Sequence, residues 1–376
     1  MTCQAVETLA LESDSPEPAT TYEAVVEDGS GGSEYVSFEA ADGYEVLEQI
    51  AEIEATVGPV TEVGEQVEVG LLQVNPSDDP RYGGVPLAGG QQKTGLDQAK
   101  FNEAWSSGED GAEITVAVVD TGVDGSHVDL AGNLLPGADF VSPSGGTCVD
   151  EYGHGTHVAG IVGQVDNATG GIGGAPGVDI LPVRVMDGNG FGSSEDVAAG
   201  IDWAVDHEAD VINLSLGSLG PGTVIPTAVD NAVDQGVTVI AAAGNCGVNP
   251  SPQQCGGVLN AKTYPAALPE VIAVGALNTG LTTRASFSND NDYIDIAAPG
   301  TNIDSTVPGS EYDDKSGTSM ATPFVSAVAA LLLRDCPTTL PADVLIALQS
   351  SATEVVGGFE DLLLELVDAG AAAATC

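Results

Sequence analysis

The chain has 376 residues, 43% of them hydrophobic, enough for one large domain and a smaller companion. It carries 56 Asp and Glu against 8 Lys and Arg, a formal net charge of −48. Phosphate backbones and anionic membrane surfaces would be repelled, so neither nucleic acid nor membrane is an expected partner.

Residues 1–33 are rich in Glu, Ser, Thr, Pro and Gly and read as a flexible acidic segment. From Glu34 the pattern becomes periodic. Residues 35–38 alternate like a strand, 44–57 have helical spacing at Val46, Ile50 and Ile53, and 60–74 alternate again through Val63, Val67, Val69 and Leu71. Region 34–74 therefore reads as a small β-α-β subdomain. Residues 75–92, rich in Pro and Gly, form a linker, and 93–376 the main domain. There the spacing predicts a helix over 95–105. Strands follow at 114–119, 180–185, 211–216, 237–242, 271–275 and 294–297. Helices are expected at 154–163, 194–207, 223–235, 319–334, 341–350 and 359–369. Strands alternating with helices imply an α/β fold with a mostly parallel sheet.

Three stretches carry chemistry. Apolar residues from Val116 run to Asp120, an acid at the carboxyl end of a parallel strand, a usual place for site residues. In Gly153-His154-Gly155-Thr156-His157 a histidine opens a helix of small residues. In Gly317-Thr318-Ser319-Met320-Ala321-Thr322-Pro323 a tight turn feeds an apolar helix, with Pro323 expected in its first turn. Ser319 reads either as an N-cap or as a nucleophile. A serine nucleophile needs a base, and the base needs an acid to orient it. Asp120, His154, Ser319 is one of the known chain orders of the Ser-His-Asp triad.

These blocks, with Ala241-Ala242-Ala243-Gly244-Asn245, resemble the subtilisin family of serine peptidases, the subtilases, over about residues 105–333. The resemblance implies a three-layer fold and a serine endopeptidase, with protein or peptide substrates and a monomeric chain. Asn245 would stabilise the oxyanion with the Ser319 N–H. Peptide substrates would add as a strand. Ser215, Leu216 and Gly217 would form one wall of the cleft, Ala242, Ala243 and Gly244 the other, and Thr263 the pocket floor. No acid stands at Thr263, so large apolar or aromatic residues are expected before the scissile bond. Region 34–74 resembles a shortened propeptide, an intramolecular partner that could hold the chain inactive.

The same resemblance implies a structural calcium site, with side-chain oxygens from Asp129 and Asn167 and carbonyls of Val165, Thr169 and Gly171. A surface turn beside an N-capping Asp129 is the alternative. Asp166 adds an acid there, and Asp79, in Asp79-Pro80-Arg81-Tyr82, is a further candidate ligand or simply a turn. Carbonyls of Ala266, Leu268 and Val271 would form a weaker site. No organic cofactor is expected.

Self-repulsion at this charge would be relieved by about 1 M salt, where the Debye length falls to roughly 3 Å, so a salt-adapted protein is expected. Six cysteines suit an oxidising compartment and allow fifteen pairings. Local spacing favours Cys246 with Cys255, Cys336 with Cys376 would tie the C-terminal tail to the long helix, and Cys3 with Cys148 is left by elimination, free buried thiols being the alternative. No stretch is long and apolar enough to span a membrane. Met1 to Ala10 lacks the basic start and apolar core of a signal peptide, although the cysteines and the resemblance point outside the cell. Among the other histidines, His157 reads as packed in the core and His127 and His207 as surface residues. Met320 reads as packing, with a thioether open to oxidants.

Overall fold

The computed structural model describes residues 3–5, 9–11, 20–27, 33–40, 43–72, 91–142, 148–167, 170–280, 283–355 and 364–372. Valine-, isoleucine- and alanine-rich runs line up as a ten-stranded sheet. From one edge its strands are Cys3–Ala5, Gly137–Asp139, Asp179–Arg184, Thr115–Asp120, Val211–Leu214, Thr238–Ala242, Ile272–Leu277, Ile296–Pro299, Leu364–Leu366 and Thr353–Val355. All neighbours are parallel except the last pair. Strands buried on both faces need helices on both sides. The helices His154–Gly163 and Thr318–Asp335 share one apolar core with one face of the sheet. Ser194–Asp206 and Val224–Asp234 cover the other face. The result is the expected three-layer α/β arrangement. No helix among the described residues is long and apolar enough to cross a membrane.

Several expectations are corrected. Thr20–Glu27, inside the stretch expected to be flexible, is a strand with Ala24, Val25 and Val26 buried. Composition averaged over 33 residues hides this short β-prone run. With Leu9–Leu11, Ser33–Ala40 and Val60–Glu65 it forms a four-stranded sheet, packed by the helix Gly43–Thr56 through Ile53. The strand expected over 60–74 breaks in two. Val60–Glu65 stays in that sheet, while Glu68–Leu71 crosses to the main domain. The helix expected over 95–105 is interrupted at Lys100, whose φ of 58° is left-handed, giving Gln91–Gln98 and Phe101–Ser107. In the window expected as a helix at 359–369, residues 359–363 lie outside the described residues, Leu364–Leu366 is a strand, and a helix begins only at Ala369, running to Ala372. A short apolar run fits either period, and here strand pairing wins. The linker expected at 75–92 lies almost wholly outside the described residues.

Cys246 and Cys255 form the expected disulfide. Cys148 and Cys336 are also in disulfides. Their expected partners, the side chain of Cys3 and residue Cys376, lie outside the described residues.

Candidate active site

Asp120 ends its strand at the carboxyl edge of the sheet, and His154 opens a helix packed against that strand. The helix comes this close because Gly155 has no side chain: a Cβ there would stand 3.1 Å from Asp120 Cβ and collide with the Gly122 carbonyl. His154 Nδ1 lies 2.8 and 2.9 Å from the two Asp120 carboxylate oxygens, and both side chains are fully buried. The contact fixes the ring with its proton on Nδ1 and Nε2 free to act as a base. Nε2 is buried without a hydrogen-bond partner among the described residues.

Asp150 was not foreseen. It is buried and holds the head of the His154 helix, accepting from the N–H groups of Gly153 (2.6 Å) and Thr156 (2.9 Å) and from the Thr156 hydroxyl (2.6 Å). The Thr121 hydroxyl donates to Asp150 (2.8 Å) and accepts from Gly155 N–H (2.9 Å), linking the Asp120 strand to the same helix end. A carboxylate there supplies acceptors for donors that a helix start leaves unpaired.

Ser319 is the second residue of the helix Thr318–Asp335 and is buried. Its hydroxyl is not a cap: it donates to the Ser215 carbonyl at 2.8 Å. Pro323 sits deeper than the expected first turn, as the sixth residue of the helix. Lacking an N–H, it leaves the Ser319 carbonyl without its i+4 donor. The Ser215 hydroxyl donates to that carbonyl instead, at 2.9 Å, and itself accepts from Asn213 Nδ2 at 3.0 Å. The candidate nucleophile is thus tied to the cleft wall through both its hydroxyl and its carbonyl.

The Asn245 amide is oriented by its own oxygen, which accepts from Thr318 N–H and Thr318 Oγ1, both at 3.0 Å. Nδ2 then faces the cleft and donates to the Leu72 carbonyl. Ser319 N–H points at the same oxygen, 3.5 Å away. Two donors therefore converge on one peptide carbonyl, the arrangement that stabilises a developing oxyanion.

That carbonyl belongs to a strand lying in the cleft. Glu68–Leu71 pairs antiparallel with Phe191–Ser193 on one side and with Leu216–Gly217 on the other. Of the expected walls, Leu216 and Gly217 hold this segment directly, and Ser215 binds Ser319. Ala242 and Ala243 are buried, with the Ala243 carbonyl taken by Asn289 (2.8 Å) and Tyr293 (2.7 Å). Thr263 joins both walls. A Cβ on Gly217 would stand 2.5 Å from Thr263 Cγ2 and 3.0 Å from Leu72 Cδ1, and one on Gly244 would collide with Thr263 Oγ1. Glycine at 217 leaves the room that Leu72 uses, and glycine at 244 the room for Thr263 and Asn289. Nothing local in the sequence marked Leu72, because its position follows from pairing with strands more than a hundred residues away.

Asp129 is buried and accepts from Gln164 Nε2 (2.7 Å), Asn167 Nδ2 (3.0 Å) and the Tyr312 hydroxyl (2.6 Å). Burial raises its pKa, but these hydrogen bonds outweigh that and hold the carboxyl below its usual range. Val165 N–H donates to the Asp129 carbonyl at 2.9 Å. The returning loop passes against the carboxylate: a Cβ on Gly170 would collide with Asp129 Oδ2. Gly171 follows it, whereas Thr169 and Asp79 lie outside the described residues. As it stands the Asp129 carboxylate is met by hydrogen-bond donors, the Asn167 amide presenting its nitrogen and not its oxygen. In the weaker candidate, the Leu268 carbonyl already accepts from Val271 N–H at 3.2 Å.

His127 is buried, against the expectation of a surface position. Its ring packs edge-on against Tyr312, and Nε2 lies 3.1 Å from the Glu311 carbonyl, both partners distant in sequence. His157 is packed in the core with Nε2 toward the carbonyls of Ile303 (2.9 Å) and Asp313 (3.0 Å). Burial and the nearby Lys315 and His154 push its pKa well below the usual histidine range, so it stays neutral. His207 is exposed and stacks on Trp203. Met320 is fully buried, which shields the thioether expected to be open to oxidants.

Residues 111–366 match the model of the subtilase family. The chain is 42% identical over 265 residues to "Subtilisin E" of Bacillus subtilis strain 168, covering 70% of this chain and 67% of that protein. It is 42% identical to the "Subtilisin" of Bacillus pumilus, over 70% of this chain and 93% of that one. With "Subtilisin Savinase" of Lederbergia lenta the identity is 39%, over 69% and 91%.

Proposed function

Since the chain belongs to the subtilase family and is a serine endopeptidase, we propose that it works through Asp120, His154 and Ser319, with Asn245 and the Ser319 N–H as oxyanion donors. The Ser319 hydroxyl turns from the Ser215 carbonyl to His154 Nε2, which takes its proton as the oxygen attacks the peptide carbonyl. Asp120 stabilises the imidazolium that forms. The proton then passes to the leaving amine, and water repeats the sequence on the acyl-enzyme. One observation supports this most: the Leu72 carbonyl faces Asn245 Nδ2 and the Ser319 N–H while its strand fills the cleft. The region up to Leu72, with the four-stranded sheet at its centre, is accordingly an intramolecular propeptide whose tail is held as a substrate, and Leu72–Gln73 is the bond first cut. Leu72 in this place supports a preference for large apolar residues before the scissile bond.

The test is fluorophosphonate labelling of the purified chain beside Ser319→Ala. Wild type should label once residues 1–72 are removed, and Ser319→Ala should not label in any form. Equal labelling of both would dismiss Ser319 as the nucleophile.

Calcium, held by Asp129, Asn167 and the carbonyls of Val165, Thr169 and Gly171, would cross-link the two loops beside the His154 helix and add stability there. Binding requires the Asn167 amide to turn its oxygen toward the ion. The charge of −48 supports salt adaptation, the disulfides an extracellular enzyme. Unfolding midpoints should rise with calcium at about 100 times its Kd by the equivalent of roughly 2.7 kcal/mol. They should rise again between about 0.1 M and 1 M salt, where the Debye length shrinks from roughly 10 Å to 3 Å. An Asp129→Ala chain should answer to salt only; an unchanged calcium response in it would move the ion elsewhere.

A further inference from the structure

The Cys246–Cys255 loop starts at the residue after Asn245 and returns to the cleft. Both cysteines are buried, with Cα atoms 5.5 Å apart. The outgoing limb is fixed to the body of the protein. Cys246 N–H donates to Asn289 Oδ1, Gly247 N–H to the Phe287 carbonyl and Val248 N–H to the Ser286 carbonyl, each at 2.7 Å. The returning limb is the single turn Pro252–Cys255, closed by Cys255 N–H on the Ser251 carbonyl at 2.8 Å. The disulfide therefore fastens this turn to the neighbour of the candidate oxyanion donor.

Gln254 stands on that turn, directly before Cys255. It helps line a cavity of about 360 Å³ between the cleft walls, together with Leu71, Leu72, Gly217 and Leu219. Its Nε2 donates to the Leu71 carbonyl at 3.2 Å, while Leu71 N–H donates to the Gly190 carbonyl at 3.3 Å. The residue before Leu72 is thus gripped through its main chain, by groups that every peptide presents.

We propose that Gln254 is a substrate-binding residue of this peptidase, donating its amide to the main-chain carbonyl of the second residue before the scissile bond, and that the Cys246–Cys255 disulfide holds it in place. The proposal rests on the reading of residues 68–72 as a substrate-like occupant of the cleft. The contact is remote from the reacting carbon and equally present in bound substrate and transition state. It therefore acts on KM rather than kcat. Because the carbonyl belongs to the backbone, Gln254 adds affinity without selecting a side chain. Cutting the disulfide frees the turn and loses the same contact.

The experiment measures kcat and KM of the active enzyme on peptide anilides with Leu before the scissile bond. Each peptide is made twice, with an ordinary amide and with a thioamide at the second carbonyl, whose sulfur is a poor acceptor. Gln254→Ala should raise KM about five-fold, the scale of one net hydrogen bond, at unchanged kcat. The thioamide should cost wild type a similar factor and cost Gln254→Ala nothing. Cys246→Ser with Cys255→Ser should reproduce the KM rise, with Gln254→Ala adding nothing further. An unchanged KM in Gln254→Ala, or an equal thioamide penalty in both enzymes, overturns the assignment whether or not the cysteine variant folds. N-terminal sequencing of the self-processed chain judges the premise separately: a start at Gln73 supports it and another start overturns it. The KM comparison on free peptides decides the role of Gln254 in either case.

Discussion

The N-terminal region grips the catalytic domain in two places, built from different chemistry. In the cleft the grip is main-chain: Glu68–Leu71 lies between two strands, with Val69, Leu71 and Leu72 buried and the Leu72 carbonyl on Asn245. On the flank the grip is carboxylate-rich and set on two helices, at the heads of both and at Asp202 within one. Buried Glu23 accepts from Thr223 N–H, Val224 N–H (3.1 Å) and the Ser194 hydroxyl. The Gln66 amide donates to Glu195, and the Tyr35 hydroxyl to Asp202 at 2.6 Å. A carboxylate at a helix head replaces missing acceptors and meets the positive end of the dipole. The cleft grip uses groups common to all peptides and free of titration. The flank grip uses particular side chains of both partners, and the Glu195 and Asp202 carboxyls of the helix Ser194–Asp206 make it sensitive to pH. On the proposed reading, cutting after Leu72 turns the cleft segment from substrate into product and leaves the flank contacts in place.

The largest effect expected on the cleft side comes from Asn245→Ala. It should lower kcat by about 10² to 10³, a scale taken from the corresponding donor of subtilisin, and leave the flank contacts unchanged. A rise confined to KM would mean that Asn245 binds substrate without favouring the transition state. Leu72→Asp comes next. It sets a carboxylate beside Gly217 in a cavity lined by Glu68 and by no cation among the described residues, so an ionised group there lacks a partner. Self-cleavage after residue 72, followed by mass spectrometry, should slow by about two decades, taking some 3 kcal/mol as the desolvation cost. Cleavage at an unchanged rate would show that this side chain is not read.

The contrast between the grips also explains what could be read in advance. Asp120, His154 and Ser319 each sit in a run whose local pattern, strand end or helix head, already places the residue, whereas Asn245 is read only from the resemblance of residues 241–245 to the family. Leu72 offers no such sign. Alternation through Val67, Val69 and Leu71 foretold a strand, but not that the chain would leave one sheet for another near Gln66. His127 looked like a surface residue because its covers, Glu311 and Tyr312, arrive from the far end of the sequence. Asp150 and Gln254 likewise stand in loops of ordinary composition. Only the packing of the His154 helix and the disulfide turn gives them partners. Leu364–Leu366 went to a strand because a vacant sheet edge at Ile296–Pro299 decided what an ambiguous apolar run could not.

The effect that separates the grips most cleanly is their response to pH. Burial pushes the Glu195 carboxyl up to about 7 from 4.5, although the Gln66 amide works against it, and Glu23 and Asp196 face it with like charge. Burial likewise raises Asp202 to about 6 from 3.8, against hydrogen bonds from Tyr35 and Asn231 and with Asp206 nearby. A carboxyl raised in the assembled chain holds more protons there than after the flank opens. Its contribution is therefore fully present below about pH 4.5 for Glu195, falls as pH rises toward about 7, and is flat beyond. At about 1.4 kcal/mol per pH unit, Glu195 alone can account for roughly 3 kcal/mol. Hydrogen exchange of the strand Thr20–Glu27 reads the opening directly. Measured in Ser319→Ala, so that no cleavage intervenes, protection should drop between pH 5 and 8, and Glu195→Gln should flatten the drop. A decline that survives Glu195→Gln but disappears in Asp202→Asn would move the pH dependence to the partner of Tyr35. Equal protection at both ends of the range would leave the flank as indifferent to protons as the cleft.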